Sequence, residues 1–152
     1  MSDARGLTEA QQETLTAVLD CLIPPDPAAG KRGAGELGLA AYVTERLGQG
    51  VSALVPGLTA LDTRATSSGS GRFAELAPEH RSETLEAYAA DDPGFLPGLL
   101  FHVYSAYYQQ AEVLEGLGME GRPPHPKGYE IGPDDPSLLD PVRARGAVYR
   151  RA

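Results

Sequence analysis

Between residues 7 and 117 the apolar positions recur mainly three and four apart, and no convincing two-residue alternation interrupts them, so the pattern predicts an all-α chain. The first helix starts at Thr8. Thr8 and Gln11 have the spacing at which a hydroxyl N-cap and an amide side chain satisfy each other's free backbone N–H, and Leu15, Val18, Leu19 and Leu22 then share one face. Pro24 and Pro25 end it, since neither can donate the backbone hydrogen bond. After a loop over 26–35, a second helix is predicted from about Glu36 to Leu47, with Leu37, Ala40, Val43 and Leu47 inward and Gly48 and Gly50 as its stop. A third falls within 51–65, started or interrupted at Pro56, with Leu54, Leu58 and Leu61 apolar, and Ser67 to Gly71 reads as a turn. Phe73 and Leu76 lead to Pro78, suited to the first position of a fourth helix whose Glu79 complements the positive end of the helix dipole. Asp91-Asp92-Pro93 ends it.

The fifth predicted helix, from Gly94 or Pro97 to Leu114, is the most informative. Leu96, Leu99, Leu100, Val103, Tyr107 and Leu114 make a core stripe, while Phe101, Tyr104 and Tyr108 make a second, aromatic stripe on an adjoining face. A helix apolar over most of its circumference is buried on more than one side, either at the centre of a bundle or beneath a partner chain. The uncharged run from Pro93 to Ala111 approaches transmembrane length, but Pro93, Pro97, His102, Gln109 and Gln110 suit a membrane span poorly.

After Gly118 the pattern stops. Six prolines and several glycines predict an extended course, with at most one short helix around Ser137 to Tyr149 and with Tyr129, Ile131, Leu138, Leu139, Val142, Val148 and Tyr149 as apolar anchors. Charge changes at the same place. Residues 1–121 hold 17 acidic and 7 basic side chains, net −10, whereas 122–152 hold 4 acidic and 6 basic, net +2. The expected organisation is therefore a small bundle of about five helices over 1–121, followed by an extended, Pro/Gly-rich C-terminal arm over 122–152 that packs on a partner. Composition narrows the partners. A net charge of −8 disfavours non-specific binding to nucleic acid or an anionic bilayer.

Little of the chain points to catalysis. Cys21 is the single cysteine, so paired-cysteine zinc sites are excluded, and beside Leu22 and Ile23 it reads as a small core filler. His80, His102 and His125 have no ligand-like spacing, and no HExxH, GxSxG, Walker or GxGxxG pattern occurs. His102 reads either as a hydrogen-bonded histidine on an apolar helix or as an interface residue. Tyr104, Tyr107 and Tyr108 divide between core and interface, and Arg143, Arg145, Arg150 and Arg151 between a solvated terminus and a docking element for an acidic surface. No catalytic, cofactor-binding or metal-binding residue is assigned. The candidate interface is Phe101, His102, Tyr104, Tyr108, Tyr129, Leu138, Leu139, Arg143, Arg145 and Tyr149.

Taken in order, LTEAQQETLTAVLDCLIPPD, GLTALD, FAELAPEHRSETLEA and PGFLPGLLFHVYSAYY followed by a Gly-Tyr pair resemble the gluconate 2-dehydrogenase subunit 3 family. The LIPPD helix stop is the best single marker. The resemblance implies a helical, cofactor-free accessory subunit of a heteromeric FAD-dependent dehydrogenase oxidising sugars or glycosides. Its large partner, of the glucose-methanol-choline oxidoreductase type, would hold the flavin and the catalytic histidine. The twin-arginine signal of many members is not seen, so a cytoplasmic complex is expected, with export alongside a partner as the alternative. CxxCH motifs are also missing, so onward electron transfer would use a cytochrome or another acceptor outside this chain. A reading from another class is a free-standing helical enzyme or small-molecule binder using His102 and the Tyr104, Tyr107 and Tyr108 cluster.

Overall fold

The computed structural model describes residues 6–69, 71–123, 125, 127–128 and 132–146. Tyr129, Ile131, Val148, Tyr149, Arg150 and Arg151 lie outside the described residues. The chain forms two compact units, Met1–Arg122 and Pro123–Ala152. Among the described residues there are seven α-helices and no strand, and an isolated antiparallel bridge joins Asp26 and Lys31.

The first unit is built around α1 (Glu9–Leu22), which begins as its sequence dictates: the Gln11 amide N–H bonds the Thr8 hydroxyl at 3.2 Å, and the Thr8 N–H bonds Gln11 Oε1 at 3.0 Å. Leu15, Val18 and Leu19 have no exposed surface, and α1 packs against α2 (Leu39–Leu47), α3 (Val55–Ser67) and α4 (Pro78–Asp91). Two carboxylates fix it there. Asp62 of α3 accepts the Thr14 hydroxyl at 3.0 Å and the Phe73 N–H at 3.1 Å, and Arg72 reaches from the same turn to Glu13 at 2.6 Å. Asp20, near the other end, accepts the Gly35 N–H at 2.7 Å and so holds the returning chain against the helix.

That return shortens α2, which starts at Leu39 and not at Glu36. The Gly35 and Glu36 amides are turned toward Asp20, and Gly38 takes φ +70°, a left-handed conformation that cannot continue a right-handed helix. Val51 lies on a 3₁₀ turn (Gly48–Ala53) that leads through Leu54 into α3, whose second residue is Pro56. Helix α4 has Pro78 as its first residue, as predicted.

The expected long fifth helix is two helices, α5 (Phe95–Tyr107) and α6 (Ala111–Gly116). No proline or glycine marks the break. Instead, the Gln109 and Gln110 side chains donate to the Ser105 and Ala106 carbonyls at 2.6 and 2.9 Å, satisfying acceptors that the next turn of helix would have filled. Phe95, Leu99, Val103, Ala106 and Tyr107 are buried, while the predicted core residues Leu96, Leu100 and Leu114 are half-buried.

In the second unit, a 3₁₀ turn (Pro136–Leu139) runs into α7 (Asp140–Ala144), inside the range expected for one short helix. Asp135 caps it, accepting the Ser137 N–H at 3.0 Å and the hydroxyl at 2.6 Å, which holds the Asp135 carboxyl below its ordinary range. Every described residue from 132 to 146 is exposed.

Gly57 marks the tightest packing between α3 and α5, since a Cβ there would sit 2.3 Å from the Phe95 ring. Gly57→Ala is therefore expected to lower the unfolding free energy by about 1–3 kcal/mol through overpacking. Gly98→Ala, in open space on α5, is expected to raise it by roughly 0.5–1 kcal/mol. Urea denaturation of the two variants checks the opposite signs; a Gly57→Ala protein as stable as the parent would refute the packing assignment.

Candidate partner-docking face

A helix places residues three, four and seven apart on one side, so Phe101, Tyr104 and Tyr108 form a line roughly opposite Leu99, Val103 and Ala106. The buried line packs toward α2. The opposite line is bare: Phe101 is 71% exposed, Tyr104 45% and Tyr108 51%. Tyr104 and Tyr108 lie 6.3 Å apart between ring centres, and Tyr108 meets Tyr107 edge-on at 5.3 Å, so the aromatic surface is continuous. The expectation that α5 is covered on more than one side is thus not met within the first unit. Leu117 and Met119, beyond α6, are also exposed. Among the described residues of the first unit, every exposed large hydrophobic side chain lies between 101 and 119.

His102 sits half-buried at the flank of this line, its ring edge-on to Phe101 at 5.4 Å. No hydrogen bond to its ring occurs among the described residues, so the hydrogen-bonded reading is not what the structure shows. Two positions away on the same helix, Tyr104 points to nearly the opposite side. Tyr107 is buried and donates its hydroxyl to the Arg32 carbonyl at 3.2 Å, tying α5 to the loop after α1. The four residues of the small-molecule reading therefore do not converge on one cavity.

The second unit carries the remaining candidates. Leu138 is 75% exposed, and Leu139 and Val142 are exposed too. Arg143 pairs with Asp140 at 3.0 Å and also donates to the Pro136 carbonyl at 3.3 Å; Arg145 is exposed. Tyr129 and Tyr149 lie outside the described residues.

Chemistry on these surfaces is sparse. Among the described residues no three His, Cys, Asp or Glu side chains gather as a metal site would require. Burial pushes the half-buried Cys21 thiol up, only partly offset by Arg81 and a hydrogen bond with Ser82, which disfavours the nucleophilic thiolate. Asp91 pairs with Arg64 at 2.5 Å, and Asp92 accepts the Tyr88 hydroxyl at 3.0 Å, so both are structural.

The model of the gluconate 2-dehydrogenase subunit 3 family matches residues 9–118. The chain belongs to that family. The matched range covers α1 to α6, and so includes the bare aromatic line, while the second unit lies beyond it. The family is that of a small subunit of a dehydrogenase complex, and membership makes this chain an accessory subunit. No curated protein and no solved structure matches the chain.

Sequence reasoning missed Leu117 and Met119. They follow a helix break that carries no proline or glycine signal, and they flank Gly118 in a turn at the end of the apolar periodicity.

The phenols at Tyr88 and Tyr107 are held above the ordinary range, chiefly because burial disfavours the phenolate; the neighbouring Asp92 adds to this at Tyr88, and Tyr108 and Glu112 add to it at Tyr107. The folded chain thus holds these protons more tightly than the unfolded one. Stability contributed by the two groups is complete below about pH 10 and falls as pH rises beyond it. Urea midpoints between pH 8 and 11 are expected to show this fall, and the double variant Tyr88→Phe, Tyr107→Phe to flatten it; an equally steep fall in the double variant would refute it.

Proposed function

We propose that this chain is the non-catalytic small subunit of a heteromeric FAD-dependent dehydrogenase that oxidises sugars or glycosides, and that it keeps the flavin-bearing large subunit folded and competent. One observation carries the reading: in a member of this family, an uncharged helix buries one line of apolar residues and leaves the opposite aromatic line, Phe101, Tyr104 and Tyr108, bare. Exposed apolar surface that is continuous, and not scattered, marks an interaction site.

The large subunit, of the glucose-methanol-choline oxidoreductase type, would hold the FAD and carry out the oxidation. This chain would supply surface. The α5 line with His102 at its flank, and Leu138, Leu139, Arg143 and Arg145 of the second unit, would cover apolar and acidic surface on that partner. A permanent interface of this kind buries about 2,000 Å² or more and is more apolar than a transient one. Electrons would pass onward to a cytochrome or another acceptor outside this chain, and the complex would work in the cytoplasm.

The expected gene neighbour is a flavoprotein oxidoreductase. Co-expressed with this chain, that protein should be soluble, flavin-loaded and active. Expressed alone it should lose most of its solubility or flavin, and a large subunit equally soluble, flavin-loaded and active by itself would overturn the proposal. Phe101→Ser with Tyr104→Ser should reproduce much of the loss without unfolding this chain, since neither side chain belongs to its core.

A further inference from the structure

Next to the bare aromatic line, the loop that follows α1 and the α5–α6 segment enclose a cleft of about 260 Å³. Its apolar walls include Ile23, Val113 and Leu117, with Tyr107 and Tyr108 on the aromatic side, and Lys31 and Arg32 stand at its edge. Tyr108 belongs both to the cleft and to the exposed line, so the two are one continuous surface.

Size and charge decide what fits. Pockets for cofactors and drug-sized ligands occupy about 300–1,000 Å³, so this cleft falls short of that class and is the size for one or two side chains. The charged side chains that line it, Lys31, Arg32 and Glu112, leave one positive charge in excess, within a region of net charge −10. Arg32 is paired with Glu112 at 3.5 Å, whereas Lys31 makes no ion pair among the described residues. A cation left without a counter-charge beside an apolar socket favours an occupant that presents a carboxylate next to an apolar side chain.

We infer that this cleft is the anchoring socket for the large subunit: it takes one apolar side chain from an exposed partner loop, and Lys31 pairs with an Asp or Glu adjacent to that side chain. The inference rests on the subunit reading above and adds to it a specific seat and the chemistry of its occupant. The flat aromatic line supplies area. The cleft supplies register, because a concave site admits its occupant in one position, and buried anchors of this kind carry a disproportionate share of binding energy.

Gly116 lines the cleft, and a Cβ there meets nothing within 4 Å, so Gly116→Phe adds bulk at the socket with no clash at Cβ. In the complex of full-length chain and large subunit, Gly116→Phe is expected to raise Kd at least about 30-fold, as loss of an anchor does, with an unchanged melting temperature. Lys31→Glu is expected to weaken binding about 10-fold at low salt and less at high salt. Carbodiimide treatment of the complex should join Lys31 to an Asp or Glu of the large subunit, located by mass spectrometry. If Phe101→Ser weakens the complex while Gly116→Phe and Lys31→Glu do not, the docking face stands and the socket is overturned. If none of the three weakens it, both fall. A dimer of the isolated chain that Gly116→Phe dissociates, or a small molecule retained by the parent and lost from Gly116→Phe, would also overturn the assignment by naming a different occupant.

Discussion

Leu15, Val18 and Leu19 recur three and four apart on α1 with no surface left exposed, so other elements must close over α1 along that whole line. Helices α2, α3 and α4 do so, and Asp62 and Asp20 fix where they sit, Asp62 by accepting the Thr14 hydroxyl of α1 and both by accepting amide protons from the segments that connect the helices. With α1 enclosed, the place left for α5 is outside, against α2, with Phe95 reaching Gly57 on α3 and meeting Tyr88 edge-on at 5.2 Å. A helix in that position has one side to bury. The second apolar line of α5 is therefore left uncovered by the packing of α1, even though its composition is as apolar as a core helix.

Magnitudes indicate what such a surface can accomplish. Burying a large apolar side chain contributes about 1.5–3 kcal/mol, so Phe101, Tyr104, Tyr108, Leu117 and Met119 together offer roughly 5–10 kcal/mol, allowing for the part already covered. Association itself costs about 4–15 kcal/mol in lost translational and rotational freedom. The bare line alone is thus insufficient for a permanent complex. A lasting subunit contact on this chain would need more than one patch, and the proposed contact would draw the others from the concave cleft beside Tyr108 and the exposed aliphatics of the second unit.

Features that rest on neighbours in sequence are legible from the sequence alone. The Thr8–Gln11 cap, the Pro24-Pro25 stop and the Pro78 start each depend on backbone groups within a few residues, and each appears as read. The two stripes of α5 were legible for the same reason, because a helix converts spacing into sidedness. What escaped depends on distant partners. The late start of α2 follows from Asp20 holding amides fifteen and sixteen residues away, and Tyr107, which lines the cleft, bonds a carbonyl seventy-five residues back in the chain. The break after Tyr107 was hidden differently: two glutamines, ordinary helix formers, turn their amides onto the helix end. The family itself was legible from the order of its segments, whereas the cleft has no counterpart in any single segment.

The second unit poses the inverse problem to α1. Its helical element is too short to persist on intrinsic helix propensity, since isolated helices under about 12 residues are marginal in water, and no described side chain within it is buried. Its order comes instead from short-range devices: the Asp135 cap, the Arg143 bonds to Asp140 and the Pro136 carbonyl, and Pro136 and Pro141, whose rings restrict the unfolded chain. These leave Leu138, Leu139 and Val142 facing solvent. An element arranged in this way has lost part of its conformational freedom before it meets any surface, so less ordering remains to oppose docking, and a larger share of the aliphatic burial is realised as affinity. Local capping thus orders the described part of the second unit, where no side chain is buried, as enclosure by three helices orders α1.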